Sequence, residues 1–213
     1  MALLAAGGCG GAEFGESIMV PQERHTAIDD TFGPGQTLRL PAEAPFNVAD
    51  AQRFSQGKST AESSATAAGR ARCSAQAGAD GKAWAEFQLG HVLTNRTDQP
   101  IQATVTFNVT YGYRMNAGMS ARAATADKCA LKIYIMDSNR RVVKRMLLAD
   151  LDPAKGPVAW TGTQTPAFDL TLEPRLAYHF VVAGRVELAG DEERSPSAEI
   201  ELQSLDLKIA RKS

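Results

Sequence analysis

From Ile101 to Met115 apolar and polar side chains alternate without interruption. Ile101, Ala103, Val105, Phe107, Val109, Tyr111, Tyr113 and Met115 fall on one side, and Gln102, Thr104, Thr106, Asn108, Thr110, Gly112 and Arg114 on the other. A period of two sets one face of a β-strand on a core and the other in water. Strands of parallel sheets are covered on both faces and read as solid apolar runs, so this run predicts an antiparallel sheet. At roughly 3.3 Å per residue it spans about 50 Å.

The same half-buried alternation recurs downstream. Trp84–Thr94 reads as a strand with Phe87, Leu89, His91 and Leu93 in one phase, followed by the polar turn Asn95-Arg96-Thr97-Asp98-Gln99-Pro100. Trp84 begins this strand and is expected in the core. Leu131–Met136 and Arg141–Leu148 read as a hairpin joined by Asp137-Ser138-Asn139-Arg140. Phe168–Leu172 and Arg175–Leu188 are further strands. In Glu199–Ala210 the phase changes: Ile200 and Leu202 share one parity, Leu205, Leu207 and Ile209 the other. A β-bulge near Gln203–Ser204 absorbs the extra residue. Asn116–Lys128 and Asp150–Pro166 read as loops. Seven strands after residue 83, or eight with a short one at Gln36–Leu40, predict an antiparallel β-sandwich. Long strands and unequal loops favour a jelly roll.

Residues 1–80 read as an extended, mostly irregular N-terminal arm or linker, and residues 81–213 as the sandwich domain. Pro21, Pro34, Pro41, Pro45 and many glycines punctuate the first part. Residues 46–56 read as a short helical turn anchored by Phe46 and Phe54. From Thr60 to Lys82 the chain is rich in Ala, Ser and Gly, which predicts a linker, or a short helix near Glu62–Ala68.

The segment Leu4-Ala5-Ala6-Gly7-Gly8-Cys9 resembles the lipobox of bacterial lipoproteins, in which a small residue precedes a cysteine that is lipidated and becomes the mature N-terminus. Ala6 stands where that family prefers Leu. The resemblance implies lipidation at Cys9. The alternative is an uncleaved arm lying along neighbouring subunits, and an intact mass that includes Met1 decides between the two. For the other cysteines two readings stand: a Cys73–Cys129 disulfide, or free thiols in a reducing compartment. No CxxC or Cys/His cluster is present, so no structural zinc is expected.

Charge is balanced, with 23 basic against 24 acidic residues. That argues against nucleic acid or an acidic membrane surface as the main partner. No stretch approaches the roughly 20 apolar residues of a transmembrane helix. Gly57-Lys58-Ser59-Thr60 matches the end of a phosphate-binding loop, but Gln52 stands where that motif needs its first glycine. His25, His91 and His179 accompany no GxSxG or HExxH motif. No catalytic residue, metal or cofactor is expected, and the chain reads as a non-enzyme. Trp160, in the Asp150–Pro166 loop, is the candidate binding contact.

The functional expectation is a structural or assembly protein of a virion or cell-surface complex. Its sandwich would project and its arm would contact other protein subunits in a homo- or hetero-oligomer. The alternative is a secreted or lipid-anchored bacterial module that binds glycan or protein. Either reading places the chain outside the cell, at its surface or in a virion.

Overall fold

The alternating runs of the sequence fold as strands, and so do stretches whose alternation is faint. The computed structural model describes residues 26–28, 33, 35–116, 128–139, 141–151, 158–192 and 195–212. Among these residues the chain forms β1 (Thr26–Ile28), β2 (Thr37–Leu40), β3 (Val48–Gln56), β4 (Ser59–Thr66), β5 (Arg70–Ala77), β6 (Lys82–Asn95) and β7 (Ile101–Asn116). Then follow β8 (Lys128–Asp137), β9 (Val142–Leu151), β10 (Val158–Gln164), β11 (Ala167–Leu172), β12 (Ala177–Ala189) and β13 (Ser197–Arg211). No described residue is helical, and no helix is long and apolar enough to cross a membrane.

Two sheets form. A six-stranded sheet runs β1–β6–β12–β8–β9, with β3 also on β6; a seven-stranded sheet runs β10–β7–β13–β5–β4, with β11 on β7 and β2 on β13. All pairings are antiparallel except that of β1, which runs parallel to β6. Eight positions carry the topology: β5–β13–β7–β10/β11 in one sheet and β6–β12–β8–β9 in the other. The chain switches sheets at every step except β4 to β5, β8 to β9 and β10 to β11, so each sheet interleaves early and late strands. This is two Greek keys folded into a jelly roll, as the sequence predicts.

The apolar side of the Ile101–Met115 run faces the core. Ile101, Val105, Phe107 and Val109 of β7 join Phe87 and Leu89 of β6, Ile133 and Ile135 of β8, and Phe180 and Val182 of β12, all 1% exposed or less. Withdrawing each such side chain from water contributes about 1.5–3 kcal/mol. The register between β13 and β7 shifts between Leu202 and Ser204, so the expected bulge lies at Gln203. It lets Leu202 and Leu205 both point inward, each 1% exposed. Along its other edge β7 meets β11 at its start and β10 at its end. The break between them holds Pro166, which has no N–H for a ladder; its carbonyl instead accepts from the Phe107 amide at 2.9 Å. The β8–β9 hairpin closes on Asp137, whose Oδ1 accepts from the amides of Asn139 and Arg141 at 2.9 and 3.0 Å.

Residues 37–77 depart from the irregular segment expected before residue 81. The short strand near Gln36–Leu40 forms as β2, but the helical turn expected at 46–56 is β3, and the Ala/Ser-rich stretch expected as linker or helix is the hairpin β4–β5. Its small residues alternate: Ala71, Cys73, Ala75 and Ala77 are buried, while Arg70, Arg72 and Gln76 are exposed. The hairpin continues past the bend at Gly57 and Gly78 into the pairing of β3 with β6, where Gln56 faces Lys82.

Gly57 sits at φ +68° in the β3–β4 turn, a conformation that L side chains rarely adopt. Ser59 and Thr60 then begin a strand, so the Gly57–Thr60 motif lacks the helix that a phosphate loop requires. The Asp150–Pro166 loop is also corrected: β9 runs on to Leu151, and Trp160 lies in β10 rather than in a loop. Cys9 and the lipobox-like segment, His25, and residues 117–127 of the Asn116–Lys128 loop lie outside the described residues.

Candidate functional site

On the polar side of the seven-stranded sheet, cross-strand partners build one row from five strands. Glu62 of β4 pairs with Ser74 of β5, Ser74 with Glu199 of β13, Glu199 with Arg114 of β7, and Arg114 with Ala159 of β10. The row lines an open groove of about 640 Å³, floored at the sheet end by Ala75, Met115, Val158 and Ala198. Arg72 Nε lies 3.0 Å from Glu199 Oε1, which holds that carboxylate in place across the row. A smaller depression of about 120 Å³ shares Arg114, Ala159 and Glu199 and extends to Gly112, Tyr113 and Trp160. Carboxylates, a guanidinium group and a hydroxyl thus follow one another along the trough, while the Tyr113 and Trp160 rings lie on the opposite face of the sheet. Such a surface donates and accepts hydrogen bonds along an extended ligand.

Trp160 stands at the edge of this sheet, cross-strand from Tyr113. Its ring lies 5.8 Å from that of Tyr113, 24° from parallel, and 4.7 Å from that of Tyr111. The Tyr111 hydroxyl donates to the Leu148 carbonyl at 2.7 Å and accepts from Gln164 Nε2 at 2.8 Å. Burial pushes its pKa up to about 12, so it stays a neutral donor. Trp160 is 38% exposed, its ring held against Tyr111 and Tyr113 rather than enclosed in the core. Trp160→Ala is expected to cost about 1–2 kcal/mol from lost stacking and area, against roughly 3–5 for a fully buried aromatic. Urea denaturation measures the difference, and a loss in the larger range would mark Trp160 as core.

Cys73 and Cys129 face the core from β5 and β8, on opposite sheets, each at most 1% exposed. The structure holds them as thiols, not as the disulfide entertained from sequence. Burial, with Cys129 nearby, raises the Cys73 pKa well above the usual thiol range, so it is a packing residue and a poor nucleophile. His91 and His179 lie on opposite faces of the six-stranded sheet, since His91 pairs with inward Phe180 and His179 with outward Val92. Neither can join the other in one catalytic group. That outward face also carries a second apolar cluster of Val48, Val92, Tyr134, Met136, Val181 and Ala183, each 1–4% exposed. Among the described residues no group of three or more His, Cys, Asp or Glu side chains converges as a metal site.

Glu62, Arg72, Arg114 and Glu199 were not singled out from sequence. Alternation assigned Arg114 to the wet face of its strand, but nothing local says that β5 and β13 lie beside it.

No protein-family model matches the chain, and no curated protein matches it. Solved structures similar to it include a family 11 carbohydrate-binding module from Clostridium thermocellum, in complex with a β-1,3-1,4-mixed-linked tetrasaccharide. That similarity has 10% identity, a TM-score of 0.24, and coverage of 82% of this chain and 96% of that one. The family 11 module of the Clostridium thermocellum cellulosomal cellulase Lic26A-Cel5E is 7% identical, with a TM-score of 0.20 and coverage of 82% and 95%. A chain of the infectious bursal disease virus Gx strain is 9% identical, with a TM-score of 0.22 and coverage of 78% and 38%. With TM-scores this low, the jelly-roll assignment rests on the strand order.

Proposed function

We propose that the chain is a non-enzymatic binding module, secreted or displayed at a surface, whose ligand is a glycan laid across the seven-stranded sheet. The observation that carries this reading is the groove over the row Glu62–Ser74–Glu199–Arg114, which crosses neighbouring strands of the sheet. An extended sugar chain has the matching chemistry: hydroxyls that both donate and accept along its length. The separation of His91 from His179 supports a role without catalysis. The assembly reading depends on the arm, whose residues 1–25 lie outside the described residues, so the groove is the better-supported site.

Arg114→Ala and Glu199→Ala are each expected to lower affinity about 10- to 100-fold, the worth of a hydrogen bond to a charged group. Both residues lie on the sheet surface, so the urea midpoint should stay near the wild-type value. Affinity electrophoresis against soluble neutral polysaccharides (a β-glucan, a xylan, a galactomannan) makes the measurement. Retardation by none of them, or equal retardation of wild type and both variants, would overturn the reading.

A further inference from the structure

The opposite sheet carries aromatic rings on its wet face. Phe54 of β3 is 45% exposed and is the cross-strand partner of Trp84 in β6. Their centroids lie 6.3 Å apart, 18° from parallel. The expectation that Trp84 is core is corrected here: it is half-buried and out of phase with inward Phe87 and Leu89. Arg185 of β12 sets its guanidinium 5.5 Å from the Trp84 ring centre. It also donates to Glu86 Oε2 at 3.1 Å and to Glu187 Oε2 at 3.0 Å. Glu187 is the cross-strand partner of Trp84, and Arg185 that of Glu86, so the group forms a compact block on three adjacent strands.

A guanidinium on an aromatic face, clamped by two carboxylates, has a fixed direction before any ligand arrives. One guanidinium against two carboxylates leaves a negative charge in excess, which disfavours an anionic ligand. What remains is an exposed ring beside oriented donors and acceptors. The Glu187 side chain is 38% exposed and keeps lone pairs to offer. A ligand that fits carries no negative charge, is apolar on one face and is rich in hydroxyls at its rim. A pyranose has that chemistry.

We propose that Phe54, Trp84, Arg185 and Glu187 form a second sugar-binding surface, for a neutral pyranose, on the sheet opposite the groove. The identity of the ligand rests on the glycan reading; the surface itself does not depend on the groove. Two sites on opposite sheets give one chain two grips on polysaccharide. The second grip raises avidity on one strand or links two strands.

Calorimetry of the full chain with neutral hexasaccharides (cellohexaose, xylohexaose, mannohexaose) tests this through stoichiometry. Wild type is expected to bind two hexasaccharides, and Phe54→Ala and Arg114→Ala one each, the lost site weakened by about tenfold or more. The double variant should bind neither. Glu187→Gln, which keeps the shape and removes the charge, should weaken the same site as Phe54→Ala. One bound hexasaccharide, lost in Arg114→Ala and kept in Phe54→Ala, would overturn the second surface and leave the groove standing. One lost in Phe54→Ala and kept in Arg114→Ala would do the reverse. No binding would overturn both.

Discussion

Gly90→Ala is expected to cost about 3 kcal/mol or more, the upper range of overpacking a well-filled site. Gly90 is in β6, between Val181 of β12 and Val48 of β3. A Cβ there would run into the Phe180 carbonyl oxygen and lie 2.8 Å from Val181 Cα. Both obstacles are backbone atoms of β12, which is paired on both edges, to β6 and to β8. Such atoms cannot swing aside as a side-chain tip can. Gly112→Ala is the control: its Cβ would first meet Thr161 Oγ1, at 2.8 Å, a hydroxyl that one rotamer change moves. That variant should cost about 1 kcal/mol or less. Urea midpoints at constant slope measure both losses. Equal shifts in the two variants would show that backbone crowding in β12 is not what keeps residue 90 a glycine.

Local pattern was enough wherever one face of a strand meets core and the other meets water. Ile101–Met115 is legible because Val105, Phe107 and Val109 contrast sharply with Thr104, Thr106 and Asn108. The change of phase after Leu202 was legible for the same reason, and the register breaks there. The hairpin β4–β5 obeys the same alternation, but Ala and Ser facing inward barely contrast with Ser and Thr facing outward. Composition then suggested disorder, whereas the stretch pairs along its whole length. In β10, Gly162 and flanking prolines blurred the strand that carries Trp160. Trp84 was misread because its place at the start of the strand was weighed above its phase, which is opposite to that of Phe87 and Leu89.

The groove was illegible for a different reason. Glu62 and Ser74 of one hairpin meet Arg114 and Glu199, from two distant parts of the chain, only through the pairings of β5 with β13 and β13 with β7. Register of this kind is tertiary information. Alternation says that each of these residues faces water, not which of them face it together.

Acid is expected to destabilise the fold through His91. The side chain is 1% exposed and faces inward beside Phe180. Burial lowers its pKa from the ordinary 6.5 to about 4. Above pH 6.5 the imidazole is neutral in both folded and unfolded chains, and the native state bears no penalty. As pH falls below 6.5 the unfolded chain takes up a proton that the folded chain refuses. Stability should therefore drop by up to about 1.4 kcal/mol per pH unit, reaching roughly 3 kcal/mol near pH 4 and levelling below it. Glu86 works in the opposite sense: burial raises its pKa, so it protonates first in the folded chain and partly offsets the loss. Comparison with His91→Leu removes that contribution, because Glu86 is present in both proteins. Urea unfolding from pH 7 to pH 4 should show the stability of wild type falling relative to the variant by roughly 3 kcal/mol, whatever the variant costs at pH 7. Parallel curves would mean that His91 takes up its proton in the fold as readily as in the open chain. The buried end of β6 would then be accessible to water.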